Sequence, residues 1–455
     1  MTDPLPAILS PLERLEQRTA HGLRSFPFIQ VSGAVVEVAM SHYRVAGLSR
    51  FLKLGESVGV DVGSRVEIGE VVRIDDSSAV LKPFDVRSEV TIGARAFRAE
   101  ALSLSPHHSW KGRVIDALGR PIDGVGELPS GERPAPLDAS PPPPLKRARV
   151  HAPLRTGVRV VDLFTPLCVG QRVGIFAGSG VGKSSLLAML ARATPIDTVV
   201  IALVGERGRE VREFLHDTLG ENRSSAVTIV STGDESPMMR RLAPKTAMAV
   251  AEYFRDQGES VLLIVDSVTR FAHAARDVAL AAGEPAVARG YAPSVFSDLP
   301  RLLERAGPGV EGSGSITGVF SVLVDGDDHN DPVADAMRGT LDGHIVLDRA
   351  IADEGRYPAV DILSSVSRMT NPSWRPEQRK LVQSLRAMIA RFEETRELRL
   401  MGGYTAGADL VLDKAIKSTP RIYDAMCQTM DAPKCDDPFI DLAAALRNEP
   451  KTVEA

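Results

Sequence analysis

Hydrophobic and polar positions change rhythm along the chain. Between residues 25 and 105 the apolar and β-branched runs are short (34–38, 64–68, 71–74, 79–81 and 90–92) and are separated by Gly, Asp and Ser turns. Strand-length runs with such punctuation predict a small all-β module, a sandwich or a barrel. From about residue 150 to 370 the pattern becomes strand, loop, helix, with strands expected at 172–176, 198–204, 226–230, 261–265, 316–324 and 344–347. Nearly continuous apolar runs alternating with helical stretches predict a parallel sheet covered on both faces. Beyond Pro376 the spacing turns helical, breaks from Gly402 to Asp409, and turns helical again.

The joints between these regions have their own signals. Residues 113–127 form a Gly-punctuated connector, and 134–144 carries four consecutive prolines, Pro141 to Pro144. That stretch favours extended polyproline geometry and marks a junction. Residues 1–24 read as a helix: Ser10 and Glu13 make a capping box, and Pro11 suits the first helical position. Its narrow stripe of Ile8, Leu9, Leu12 and Leu15 either packs on its own domain or docks a partner.

Composition narrows the class. At 455 residues the chain should hold about three domains. A hydrophobic fraction of 44% with 25% charged residues is that of a soluble globular protein. Lys and Arg number 54 against 59 Asp and Glu, a net charge of −5, which argues against a whole-surface affinity for nucleic acid or anionic lipid. The cysteines, Cys168, Cys427 and Cys435, include no Cys-x-x-Cys, which fits reduced thiols and gives no zinc motif. Asp3 stands where a secretory signal would be basic, and runs such as 261–265 are far short of a membrane span, so a cytoplasmic chain is expected.

Four segments carry chemistry. Ala177, Gly178, Ser179, Gly180, Val181, Gly182, Lys183, Ser184 and Ser185 follow one expected strand and open a helix. That context is what a phosphate-binding loop requires: glycines let backbone N–H groups curl round phosphates, and the helix N-terminus adds its dipole. Lys183 would bridge the β- and γ-phosphates and Ser184 would coordinate Mg²⁺. Ala177 replaces the first glycine of the strict pattern, a small change that the loop tolerates. Asp266 ends the apolar run 261–265 and would hold Mg²⁺, usually through water. Glu206, in the charged segment 205–210 at the end of another strand, reads by itself as part of a solvated loop, and otherwise as a carboxylate at a strand tip that could orient the attacking water. Arg368, after an apolar segment, reads either as a surface residue or as an arginine finger. The acidic loop 325–331, with His329, reads as a structural turn rather than a metal site, since the bidentate Glu of a calcium loop is absent.

In this order the segments resemble the rotary ATPases, and within them the flagellar branch of the type III secretion ATPases. Further matches are Pro153 to Asp162, Asp266-Ser-Val-Thr-Arg-Phe-Ala272, Tyr291 to Gly307, Leu341 to Ala350 and Gly355 to Asp361. The resemblance covers nearly the whole chain and implies an α/β fold. It would have an N-terminal helix (1–24) that docks a partner, a small β-barrel (25–105), a RecA-like nucleotide domain (106–375, including the Pro-rich junction) and a C-terminal helical domain (376–455). It implies an Mg²⁺-dependent ATPase in which Lys183, Glu206, Arg207 and Arg368 are catalytic, Arg368 serving the neighbouring subunit's site. Ser184 and Asp266 would lie on the metal side and Tyr357 would stack on adenine; a second aromatic wall does not carry over to Tyr404. The implied partners are five further copies in a homohexamer, a regulator dimer on the N-terminal helix, a central-stalk coiled-coil protein, export-gate membrane proteins and chaperone–substrate complexes, without nucleic acid. The implied location is the cytoplasmic base of the flagellar export apparatus.

Other classes make different demands. A virulence type III secretion ATPase is the nearest alternative, and the segments Leu341 to Ala350 and Gly355 to Asp361 lean to the flagellar branch instead. A rotary ATP synthase subunit would need alternating subunits, and Gly208 departs from the Thr usual there. A Rho-like RNA translocase would need a basic, aromatic-bearing N-terminal domain, and residues 25–105 lack such a stripe. A non-enzymatic ring scaffold would have lost Lys183 or Glu206.

Overall fold

The computed structural model describes residues 30–86, 88–150, 152–324, 331–433 and 437–447. The helix expected at 1–24, His329 with most of the acidic loop, and Cys435 lie outside the described residues. The chain divides into two compact units, Met1–Ala101 and Leu102–Ala455.

In the first unit, six strands among the described residues close into a barrel. They are β1 (Ser32–Val38), β2 (Tyr43–Ala46), β3 (Ser57–Val62), β4 (Arg65–Ile74), β5 (Ser78–Pro83) and β6 (Arg95–Arg98), in the order β1-β2-β5-β4-β3-β6. Val35, Val45, Val58, Val60, Leu81 and Ala96 fill the interior. Two expectations change. The runs 64–68 and 71–74 are one strand, because Gly69 stays in both ladders, opposite Val58 and Pro83. Residues 90–92 form no strand; the barrel closes instead through β6, which pairs with both β1 and β3.

The second unit opens on two short ladders, β7 (Ser103–Leu104) with β9 (Ala135–Pro136) and β10 (Pro153–Leu154) with β11 (Leu167–Cys168). Its centre, among the described residues, is a nine-stranded sheet. The strands are β8 (Val114–Asp116), β12 (Arg172–Ala177), β13 (Thr198–Glu206), β14 (Ala226–Thr232), β15 (Ser260–Asp266), β17 (Ser315–Leu323), β18 (Gly343–Leu347) and β19 (Val366–Ser367), with β16 (Gly307–Pro308) beside β17. The order is β19-β18-β12-β17-β15-β13-β14-β8, parallel except for β19. All six strands expected from the apolar runs are present. The Gly-punctuated connector also supplies β8, held by Asp123, which accepts from Arg113 Nε at 2.7 Å and from the Val114 and Val125 amides.

The helices that the site draws on are α1 (Lys183–Leu190), α2 (Gly208–Glu213), α3 (Pro237–Asp256), α4 (Val268–Ala281), α5 (Pro293–Leu303) and α6 (Arg349–Asp353). Arg305, just after α5, is 3% exposed and donates twice to Glu252 on α3, at 3.0 and 2.6 Å, so a buried charge is paired where it must be. The C-terminal helices α7 (Pro376–Glu394), α8 (Leu410–Met426) and α9 (Pro438–Arg447) follow. Their Val382, Leu385, Ile389, Ile422 and Leu442 join the same apolar cluster as Leu186, Leu187 and Ile201. Sharing that core is why the C-terminal helices belong to the second compact unit.

Candidate active site

Parallel strands deliver all their C-terminal ends to one edge of the sheet, and ligands of open α/β sheets sit beyond that edge. Here the edge presents Ala177 from β12, Glu206 from β13 and Asp266 from β15. The loop from Ala177 to α1 turns through Gly180 (φ 80°) and Gly182 (φ 86°), left-handed conformations that glycine adopts without steric cost. Gly182 caps α1, so the helix N-terminus and its unpaired N–H groups face the loop.

Lys183, the first residue of α1, donates to Asp266 Oδ1 at 2.5 Å and lies 3.8 Å from Glu206 Oε1. The three side chains are 13%, 4% and 12% exposed. Charges this dry are stable only when paired. Asp266 Oδ1 also accepts from Ser321 Oγ of β17, at 2.5 Å. The register explains this: β17 lies between β12 and β15, and Ser321 stands opposite Ile175 just before the strands end.

Glu206 is the electrostatic outlier. Burial pushes its carboxyl up to about 7; the negative charge of Asp266 and a hydrogen bond with Glu210 push the same way, against Lys183 and Arg270. A group whose proton affinity sits near neutrality in a cleft is suited to moving protons. Arg270 of α4 donates to Gly205 O at 2.5 Å and brings Nη2 within 4.0 Å of Glu206 Oε2.

The remaining expected residues divide. Tyr357 is brought to the loop: a β-carbon on Gly182 would lie 3.3 Å from Tyr357 Cδ1, and the ring is 45% exposed. Ser184 and Ser185 are exposed on the first turn of α1. Arg207 is not brought to Lys183. Its side chain is 77% exposed and pairs with Glu210 at 2.9 Å, so it reaches Glu206 only through Glu210. Arg368 is not brought to the loop either. It follows β19, whose Ser367 pairs with Gly343 at the start of β18, whereas Ala177 faces Leu347 at its end. Four residues of strand separate the two, roughly 13 Å. Arg368 is exposed, and its guanidinium makes no hydrogen bond or ion pair among the described residues. Tyr404 donates to Asp413 and Asp409 O in the C-terminal region.

Three residues of the site escape a reading by motif. Ser321 is a small polar residue inside an apolar run. Arg270 lies within a matched segment but has no chemical signature of its own. Arg349 of α6 donates from Nη2 to the carbonyl of Ser179 at 3.0 Å and so steadies the phosphate loop. Arg349 lies in the matched segment Leu341 to Ala350, and its one local signal is Asp348 before it, a helix cap whose side chain accepts from the Ile351 amide.

A divalent metal fits this donor set. Among the described residues no group of three or more His, Cys, Asp or Glu forms a cage. Ser184 and Asp266 instead offer two hard oxygen donors beside a phosphate loop, as Mg²⁺ prefers when substrate phosphates complete its shell.

Comparison with known proteins agrees with this architecture. Residues 157–367 match the nucleotide-binding domain of the ATP synthase alpha/beta family, and 374–448 match the C-terminal domain of the type III secretion ATPase EscN. A flagellum-specific ATP synthase of Agrobacterium fabrum is 56% identical over 91% of this chain and 88% of its own. The assembled EscN ATPase of enteropathogenic E. coli superposes with a TM-score of 0.84 at 39% identity, covering 91% of this chain and 99% of that one. The same ATPase in complex with its central stalk EscO gives 0.81 at 38% identity, with the same coverage. With the barrel, the phosphate-loop sheet and the helical C-terminal region all in place, the chain belongs to the flagellar and type III secretion ATPase family.

Proposed function

We propose that this protein hydrolyses MgATP to drive flagellar type III protein export. The observation that carries the chemistry is the dry cluster of Lys183, Glu206 and Asp266 at the mouth of the phosphate loop. The loop amides and Lys183 bind the triphosphate and neutralise its charge. Glu206 accepts a proton from the attacking water, for which a carboxyl near 7 is matched to neutral pH. Arg270, within 4.0 Å of Glu206, adds a second cation beside the reacting centre. Tyr357 supplies a flat apolar surface for adenine. Ser184 and Asp266 would hold Mg²⁺, which supplies charge stabilisation on the β- and γ-phosphate oxygens.

Arg368 is assigned to the neighbouring subunit's site in a homohexamer. Its exposed position at the far end of the sheet, with no ion pair among the described residues, supports action in trans. Arg368→Ala is expected to lose turnover about 10³-fold with nucleotide binding retained. Mixing it with Lys183→Ala subunits is expected to recover part of that turnover. Phosphate release from verified mixed rings is the measurement, and no recovery would remove the trans assignment.

The flagellar branch is favoured by the relative at 56% identity, against 46% for a SPI-2 type 3 secretion system ATPase of Salmonella typhimurium. Among the described residues no helix is long and apolar enough to cross a membrane, and the proposed station is cytoplasmic, at the base of the export apparatus. The stalk of the EscN complex suggests a central-stalk partner for this chain. A regulator dimer on residues 1–24, export-gate membrane proteins and chaperone–substrate complexes complete the proposal. A strain lacking the gene should be non-flagellate and should fail to secrete flagellar proteins; a fully motile deletion strain would refute the flagellar reading.

A further inference from the structure

The Tyr357 ring lies beside the phosphate loop, next to Gly182, but its backbone is held from the C-terminal helices. The Gln428 amide, just after α8, donates to Tyr357 O at 2.8 Å. Gln428 is fixed in turn: its Nε2 donates to Gly157 O at 2.9 Å, and its Oε1 accepts from the Arg159 amide at 3.0 Å. On the other side of Tyr357, the Arg356 guanidinium lies 4.0 Å over the Tyr423 ring of α8 and pairs with Glu354 at 2.7 Å. Glu354 also accepts from Arg396 at 2.8 Å, and the Tyr423 hydroxyl donates to Glu393 of α7 at 2.6 Å. The strap 349–357 therefore grips the phosphate loop at both ends, through Arg349 on Ser179 O and Tyr357 on Gly182, while its anchors lie in the helical region.

We propose that Arg356 is a positioning residue for ATP: clamped by Glu354 and Tyr423, it lets the C-terminal helices set how the Tyr357 ring covers the nucleotide. A guanidinium stacked on an aromatic ring and paired with a carboxylate has one strongly preferred placement. Residue 357 follows it directly in the chain, so loosening Arg356 removes one of the two holds on Tyr357, leaving that of Gln428, without touching Lys183, Glu206 or Asp266. The inference rests on the reading that Tyr357 faces the adenine base.

The test is steady-state hydrolysis of MgATP by the full-length protein, with inorganic tripolyphosphate as a competitive probe that lacks a base. Arg356→Ala is expected to raise KM for ATP about tenfold with kcat changed by less than about twofold, while tripolyphosphate inhibits as it does the parent. Arg356→Lys, which keeps the charge for Glu354 but not the planar group stacked on Tyr423, should recover only part of the loss. Glu354→Gln, at a partly exposed position, should raise KM in the same direction and stands in if Arg356→Ala does not fold. Tyr357→Ala run in parallel separates the two ideas. If it leaves KM unchanged, the adenine reading fails; if it raises KM while Arg356→Ala and Glu354→Gln do not, the positioning role fails. Equal weakening of tripolyphosphate and ATP by Arg356→Ala would also overturn the positioning role.

Discussion

Lys183→Ala is expected to lower ATP turnover by at least about 10³-fold and to weaken nucleotide binding, because no other cation of the cluster is carried on the phosphate loop. The substitution has a second consequence in the same cluster. Asp266, 4% exposed at its side chain, would keep Ser321 as a donor but lose its cation. Breaking a buried pair from one side costs about 3–5 kcal/mol. A lowered melting temperature should therefore accompany the lost activity. The two effects separate in the double variant Lys183→Ala, Asp266→Asn, which no longer buries an unpaired charge. It should regain most of the thermal stability and none of the turnover, measured by differential scanning calorimetry and phosphate release. Because Asp266 is itself assigned to the metal side, the double variant is read for stability; one no more stable than Lys183→Ala would show that the lone Asp266 charge is not what destabilises the single variant.

Glu206→Gln separates binding from chemistry. The amide keeps the size of the side chain and cannot take the water proton. A loss of about 10²–10⁴ in kcat is expected, with ATP affinity within a few-fold of the parent. The pH profile gives an independent reading. A base must be ionised to act, and burial raises the Glu206 carboxyl to about 7. For the parent enzyme kcat/KM, which reports the free enzyme, should rise with pH through about 7 and then level. In Glu206→Gln that acid limb should vanish from the residual rate. The sign for stability is the reverse. A carboxyl raised in the folded state favours folding below its unfolded value near 4.5, and that contribution is lost as pH rises through about 7. An activity profile flat between pH 6 and 8 in the parent would remove Glu206 from the role of base.

Legibility followed burial. Strands β12, β13, β14, β15, β17 and β18 are covered on both faces, so each is a nearly unbroken apolar run and each stands out in the sequence. The edge strands β8 and β19 span only Val114–Asp116 and Val366–Ser367, too short for any periodicity. In the barrel, β2, β3 and β6 lie outside the expected runs: β2 and β6 have four residues each, with arginines among them, and β3 carries Gly59 and Asp61. Lys183 and Asp266 were legible because one opens the helix after a glycine loop and the other ends an apolar strand, and Glu206 became legible through the order of the segments. Ser321, Arg270 and Arg349 had none, since each serves the site only through neighbours distant in sequence.

The sequence alone determined which groups are available: a glycine loop with a lysine, a serine for a metal, and carboxylates after apolar strands. It also determined the layered architecture, since hydrophobic periodicity is local and is written residue by residue. The tertiary structure decided which charges meet. It set Asp266 against Lys183, moved Arg207 out to solvent, brought Arg270 to Glu206, and left Arg368 at the opposite end of the sheet. The reason is physical: the energy of a charge depends on its distance from others and on how much water surrounds it, and neither quantity exists until the chain has folded.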